Sequence, residues 1–383
     1  MEFIVKTMYG LEEVLATELR DLGCEGIAVR NRAVAFEGNL ESLYTVNYMS
    51  RTALSVLVKV ASFKLEKATD LYDRAVTTEW SDVMSADDTF AVVSVSNSPF
   101  FSHTGYPALV VKDAIADYFR KRTGRRPTVN TAHPGILINL HISNTDVTLS
   151  VDSSVVPLFK RGYRKMQGTA PLNEALAAGI IMLTGWKGER HFHDPMCGSG
   201  TIPIEAALIA SSIPPGYFRE FYGFQNWQNY NSELFGRVKE RYNAKIKPIS
   251  VMISGSDISM QAVRMARESV QNASLAGEVR INHEDFINSS ASAKDGMILF
   301  NPPYGTRIIP EQINTLYSSI GTVLKHKYPG SEAWIFSGSP EAMKSVGLKP
   351  SGKTKLFNGS IECILCRYLL REGPYAGDRV RQQ

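Results

Sequence analysis

Asn301-Pro302-Pro303-Tyr304-Gly305 follows directly on the apolar run 297–300. An amide and two prolines make a stiff, extended corner at the end of a strand. The side-chain oxygen of Asn301 and the carbonyl of Pro302 are acceptors suited to the N–H bonds of an aromatic amine. Such an amine is a weak nucleophile because its lone pair delocalises into the ring, and acceptors aimed at its hydrogens favour a pyramidal nitrogen. Tyr304 offers a flat surface for a base drawn out of its helix. The chemistry that suits this corner is transfer of a carbon to an exocyclic nitrogen, which asks for alignment more than for acid–base help. Two prolines set between Asn and Tyr make an ordinary turn the poorer reading.

A donor for that carbon needs its own cradle. Asp194-Pro195-Met196-Cys197-Gly198-Ser199-Gly200-Thr201 lies between a short strand and an apolar helix over 202–210. Gly198 and Gly200 let the backbone turn sharply and approach a ligand. The helix N-terminus offers N–H groups to a carboxylate, and Asp194 can accept from an ammonium. The methionine part of S-adenosylmethionine carries both groups. The loop has neither a Gly-Lys-Ser/Thr ending nor a full GxGxxG, so triphosphate and dinucleotide readings are weaker. Asp257, with Ile258 after it, ends the next strand and is placed for ribose hydroxyls. Asp285 and Phe286 follow the strand after that, where a carboxylate can accept from the adenine amine and the ring can cover the base. Taken alone, Asp285 reads as a helix cap.

The usual gap from glycine loop to ribose acid is about 20 residues, and here it is much longer. Residues 213–247 are therefore an insertion, with Tyr217, Phe218, Phe221, Tyr222, Phe224, Trp227 and Tyr230. Most of these rings are expected to pack the insertion onto the sheet, and a few to line the entry to the site.

The elements that must hold these corners alternate between strand and helix from about residue 170: helix 173–183, strand–loop–helix 191–210, strand 250–255, helix 260–273, strand 297–300, helix 312–326 and strand 332–337. That alternation implies a mostly parallel sheet covered on both faces. The closing apolar run 360–370 reads as an antiparallel strand near the sheet edge. Upstream, residues 1–62 read strand, helix, strand, strand, helix, strand, a ferredoxin-like α+β unit. Residues 63–157 form a second α+β unit with a buried strand at 90–95, a helix at 106–122 and a hairpin around 143–146. Residues 158–172 are a basic linker, 173–372 the α/β domain and 373–383 a loose tail.

The 383 residues are 44% hydrophobic and 21% charged, with a formal net charge of +4. That is globular content, and it permits nucleic-acid binding without demanding it. Four cysteines are spread thinly, which fits a reducing compartment. Cys363 and Cys366 form a CxxC, but in a strand these side chains point to opposite faces. His191 and His193 alternate on a strand without a third ligand nearby, so no metal is expected. No apolar run nears the roughly 20 residues of a membrane helix, and the N-terminus lacks a basic-then-apolar leader, so a cytoplasmic protein is expected. Basic residues cluster twice, at Arg120-Lys121-Arg122 with Arg125 and Arg126, and at Lys160, Arg161, Arg164 and Lys165. Arg125, Arg126, Lys160, Arg161 and Arg164 are the candidate RNA contacts, predicting salt-sensitive binding.

The segments Asp194-to-Thr201 and Asn301-to-Tyr304 resemble the class I methyltransferases that modify exocyclic amines of nucleic-acid bases. Leu158-Phe159-Lys160-Arg161-Gly162-Tyr163-Arg164, followed by Ala170-Pro171-Leu172-Asn173-Glu174, is similar to the THUMP-containing RNA guanine-N2 methyltransferases, especially those acting on large-subunit ribosomal RNA. The resemblance covers nearly the whole chain. It implies a class I Rossmann-like domain with a mostly parallel seven-stranded sheet, preceded by ferredoxin-like and THUMP domains. It implies S-adenosylmethionine as donor, S-adenosylhomocysteine as product and no metal. It implies that Asp194, Pro195, Cys197, Gly198, Gly200 and Thr201 hold the methionine part, that Asp257 and Ile258 hold the ribose, and that Asp285, Phe286 and Asn301 complete the donor site. Asn301, Pro302 and Tyr304 would serve the target amine. Some relatives carry a second methyltransferase domain; this chain stops before one, so a single modification is expected. The rival readings are guanine-N2 methylation of transfer RNA, adenine-N6 methylation of DNA, and a non-catalytic RNA-binding or assembly factor.

Overall fold

The computed structural model describes residues 1–164, 172–289, 296–304 and 310–371. Lys165, Ala170, Pro171, Gly305 and the tail 373–383 lie outside the described residues. The chain divides into two compact units: Met1–Thr7 with Leu15–Leu158 and Arg219–Arg241, and Met8–Val14 with Phe159–Phe218 and the chain from Tyr242 onward.

The first unit runs β1 (Glu2–Lys6), α1 (Glu12–Asp21), β2 (Glu25–Arg30), β3 (Ala33–Glu37), α2 (Leu40–Met49), β4 (Ser55–Lys64), α3 (Asp70–Val76), β5 (Thr89–Asn97), α4 (Tyr106–Thr123), β6 (Thr128–Val129), β7 (Ile136–Ser143) and β8 (Asp146–Asp152). Its eight strands make one sheet in the order β2-β3-β1-β4-β8-β7-β5-β6. The first four strands with α1 and α2 are the ferredoxin-like βαββαβ arrangement. Strand alternation sets the buried face: Phe3 and Val5 of β1 are fully buried, and Phe3 stacks on Phe36 with ring centroids 4.7 Å apart. Local chemistry sets the helix ends. Asn39 caps α2 by accepting from the Ser42 N–H at 3.1 Å, and Gly124 closes α4 at φ +72°. The β7–β8 hairpin pairs Ser143 with Asp146, and Asn144 takes φ +54° in its turn.

One expectation fails here. The run 90–95 is not buried throughout: Phe90 is fully covered, but Val93 and Val95 are 43% and 59% exposed. Helix α4 shields one face of β5 only, so alternate valines point outward.

Apart from α7 (Ser232–Asn243), which the first unit holds up to Arg241, the remaining helices and strands form the second unit: α5 (Glu174–Thr184), β9 (Phe192–Asp194), α6 (Thr201–Ala210), β10 (Ile253–Asp257), α8 (Met260–Asn272), β11 (Val279–His283), β12 (Met297–Phe300), α9 (Pro310–Lys327), β13 (Glu332–Ser337), α10 (Pro340–Lys344), β14 (Gly352–Asn358) and β15 (Ile361–Leu369). Its sheet has the order β11-β10-β9-β12-β13-β15-β14. All neighbours are parallel except β15, which is antiparallel to both β13 and β14. Both faces are packed. Met297 and Leu299 enter one core with Phe192 and Ile204, while Ile298 and Phe300 enter the other with Tyr317 and Tyr328. Cys363 and Cys366 likewise fall into opposite cores. No described helix is long and apolar enough to cross a membrane.

The insertion departs from expectation. Its residues from Arg219 to Arg241 belong to the first unit rather than to the α/β sheet. Phe224, Tyr230 and Phe235 surround Tyr44 of α2, with ring centroids at 4.7, 6.1 and 5.4 Å. Arg219 donates to the carbonyls of Pro157 and Ser154 at 3.0 and 3.2 Å. Ring periodicity announces a packed surface without naming the partner that will cover it.

Candidate active site

The sheet order reverses between β9 and β12, and an open α/β sheet binds ligands outside the strand ends at such a point. Register puts Gly255 of β10 opposite Asp194 of β9, and His283 of β11 opposite Asp257. Asn301 follows β12 without an intervening residue. The corners that bear Asp194, Asp257, Asp285 and Asn301 therefore share the C-terminal edge of one sheet.

Asp194 is 1% exposed, and its Oδ1 accepts from the Met196 N–H at 3.1 Å. Burial, and then the charge of Asp257, push its carboxyl well above the ordinary aspartate range. A ligand ammonium at this carboxyl would favour the ionised form, so the residue fits the donor's methionine amine. The loop beyond is held from the next strand: the Cys197 N–H donates to the Ser256 carbonyl at 2.9 Å. Pro195 accepts from the Ser256 hydroxyl at 3.5 Å. Gly255 is tied to this loop by contact, because a Cβ there would lie 2.9 Å from the Cβ of Cys197. Cys197 is buried, and its thiol is pushed well above its usual range by burial, which keeps it protonated and unreactive. Gly198 takes φ +54° with open space where a Cβ would project, which is the cradle a close ligand needs.

Asp257 ties loop and helix together. Its Oδ2 accepts from the Gly198 N–H at 2.9 Å and its Oδ1 from the Ser259 N–H at 2.8 Å. Ser259 then caps α8 by accepting from the Ala262 N–H. Ile258 beside it is 68% exposed. Asp285 is partly buried and accepts from the Ile287 N–H at 3.0 Å and the Asn288 side chain at 2.7 Å. Phe286 follows Asp285 and turns into the core. Its ring is 2% exposed and packs on Phe300 and Tyr328 in the core. A large apolar ring directly after a strand end is drawn inward by the same burial that fills the sheet face.

Pro302 is buried and Pro303 exposed, and the Asn301 Oδ1 is buried without a hydrogen-bond partner among the described residues. Tyr304 is fixed at its far end. Its hydroxyl accepts from the Asn358 side chain at 3.0 Å and lies 3.9 Å from the Cys363 sulfur. Burial raises its pKa to about 12. Its ring crosses Gly338, where a Cβ would meet the ring at 2.6 Å. Asn358 and Gly338 are the residues that the sequence reading missed. The signal for Asn358 was the Asn358-Gly359 dipeptide, which opens the β14–β15 hairpin; Gly338, directly after β13, carried no comparable one.

The basic candidates divide. Arg125 and Arg126 are exposed, and Arg125 pairs with Asp87. Lys160 is exposed. Arg161 and Arg164 are corrected: their side chains are 1% and 11% exposed and pair with Glu205 at 3.5 Å and Glu174 at 3.2 Å. An arginine alternating with Gly and Tyr in a linker looks solvated in sequence, yet here two buried carboxylates draw both inward. Thr201 is also turned inward, its hydroxyl accepting from Arg164. The two histidines are engaged by neighbours. His193 lies 2.9 Å from the Ser254 hydroxyl, with burial lowering its pKa to about 4, and His191 accepts from the Met252 N–H. Among the described residues no cluster of three His, Cys, Asp or Glu is placed to hold a metal.

Sheet order and strand-end acids together define a class I methyltransferase. Residues 161–367 match the family model described as RMKL-like, methyltransferase domain; residues 2–57 match an RlmL ferredoxin-like domain and residues 66–152 a THUMP domain. The chain belongs to this RMKL-like methyltransferase family. A protein of Synechocystis sp. named as a candidate RNA methyltransferase is 35% identical, with 94% of each chain covered. The ribosomal RNA large subunit methyltransferase K/L of Syntrophotalea carbinolica is 35% identical over 98% of this chain and 55% of its own length. The chain thus spans about half the length of the K/L relatives it matches. A candidate methyltransferase crystallised with S-adenosylhomocysteine is 26% identical at a TM-score of 0.87, covering 97% of this chain and 99% of that one.

Proposed function

We propose that this protein transfers a methyl group from S-adenosylmethionine to the exocyclic N2 amine of a guanine in 23S ribosomal RNA in the cytoplasm. The observation that carries the reading is the buried Asn301 Oδ1, an acceptor without a partner at the sheet's switch point. When bound, the donor supplies an electrophilic methyl group on sulfur. Asp194 would hold its ammonium, and Asp257 its ribose hydroxyls. Asp285 would take the adenine amine. Asn301 and the Pro302 carbonyl accept from the guanine amine, turning its lone pair toward the methyl carbon. Tyr304, locked by Asn358, keeps the base plane fixed. The ribosomal substrate is supported by the K/L relatives and the THUMP match.

The test is direct. Incubation with labelled donor and large-subunit ribosomal RNA, followed by digestion to nucleosides, is expected to place the label in N2-methylguanosine. Label in N6-methyladenosine, or label only with transfer RNA, would refute the substrate assignment. A protein that binds no donor would refute the activity.

RNA capture is expected to rest on exposed cations. Arg126→Glu should weaken RNA binding and lower the slope of log affinity against log salt by about one. A filter-binding titration across salt concentrations that gives the wild-type slope would remove Arg126 from the footprint.

A further inference from the structure

We propose that Arg164 and Arg161 are positioning residues for the donor loop and touch no RNA. The inference deepens the proposed function and rests on its placement of the donor at Asp194–Gly200. Helix α6 begins where that loop ends, and two of its inward residues, one turn apart on the same face, are held from the linker. Arg164 reaches the first of them, donating to the Thr201 hydroxyl. The same guanidinium lies 3.2 Å from Glu174 at the start of α5 and 3.5 Å from the Leu172 carbonyl. The second is Glu205, fully buried. It accepts from the Tyr163 hydroxyl at 3.0 Å, and Arg161 lies 3.5 Å from the same oxygen.

Gly162 makes this route possible. It takes φ +106°, and a Cβ there would run into the Phe218 carbonyl. Arg161, Tyr163 and Arg164 all turn inward around it. The donor loop itself lacks a comparable anchor at this end: Gly200 occupies the cap position of α6 at φ +82° with no side-chain cap. Arg164 is therefore the group that fixes where the loop hands over to the helix.

Stability alone does not account for four buried charges. Such pairs are often no better than well-packed apolar side chains. Among the described residues this cluster is also incompletely satisfied, because the Glu205 Oε2 and the Arg164 Nε are buried without partners there. Its distinctive property is geometric: it fixes α6 relative to α5 and the linker within one unit.

The test compares Arg164→Met, Thr201→Val, their double variant and Arg164→Lys with wild type. Calorimetry with S-adenosylmethionine gives donor affinity, and steady-state kinetics give separate KM values for donor and RNA. Arg164→Met and Thr201→Val are each expected to weaken donor binding about tenfold, as loss of one charge-assisted hydrogen bond would. The double variant should lose no more than either alone, and Arg164→Lys should recover part of the loss. The RNA KM and its salt dependence should not move. Donor affinity within about twofold of wild type in Thr201→Val, which removes the hydroxyl and leaves a side chain of nearly the same size, overturns the proposal. So does an Arg164→Met variant whose loss appears in RNA KM with a flatter salt slope. A wild-type protein that binds no donor overturns the donor reading and this inference with it. Wild-type binding with unchanged variants overturns the inference alone.

Discussion

Asn301→Ala is expected to cut methyl transfer by about a hundredfold or more while donor and RNA affinities stay near wild type. The reason lies in what surrounds the amide. Pro302 and Pro303 have no N–H, so neither of the two residues after Asn301 offers a backbone donor to its oxygen. The oxygen is buried and unpaired, a state that costs about 1–3 kcal/mol. A structural asparagine would not be left so. An amine hydrogen from a substrate base would complete it, and only in the reacting complex. Removing the oxygen should therefore lose rate without losing stability. Thermal unfolding of Asn301→Ala is expected at or slightly above the wild-type temperature, in contrast with its activity. Single-turnover rates beside a melting curve decide the matter. Activity within about threefold of wild type, or a melting temperature that falls in step with activity, would show that Asn301 holds the loop and does not align the amine.

What the sequence disclosed, and what it hid, follows from range. Two of the four strand-end corners were the most legible, because they combine a period change with residues whose backbone chemistry is local: Gly198 and Gly200 after Asp194, and Pro302 and Pro303 after Asn301. Strand ends fix such residues whatever packs behind them. The β14–β15 hairpin was overlooked although Asn358-Gly359 marked it, and with it went the support of Tyr304. Side-chain direction was the harder property. Motif position suggests outward roles for Phe286, Arg161 and Thr201, yet each packs against a partner outside its own motif: Phe300, Glu205 and Arg164. Lone residues next to a motif inherit its function on paper, but burial depends on what tertiary packing brings to them. The same holds for the insertion, whose rings were legible as a packing surface but not as one that covers Tyr44.

Asp257→Ala is expected to weaken donor binding by about two orders of magnitude, the largest binding loss of any substitution at the site. Both carboxylate oxygens already work within the protein, one on the Gly198 N–H and one on the Ser259 N–H. A carboxylate has about four lone-pair positions, so two remain for ribose hydroxyls. The alanine thus removes the ligand contact and also releases the glycine whose φ of +54° shapes the cradle. Asp257→Asn separates these effects. It keeps one acceptor, loses the other, and should cost about tenfold. It should also change the pH dependence. The Asp257 charge is one of the two causes that raise the carboxyl of Asp194, the other and larger being burial. A donor ammonium favours ionised Asp194, so affinity falls as pH drops through the Asp194 pKa. Taking the Asp257 charge away lowers that pKa and moves the falling limb to more acidic pH. Calorimetric titrations of Asp257→Asn across pH should show weaker binding on the plateau and a limb displaced downward. A limb that stays in place, or moves upward, would separate Asp194 from the ammonium and leave the donor's methionine end without its counter-charge.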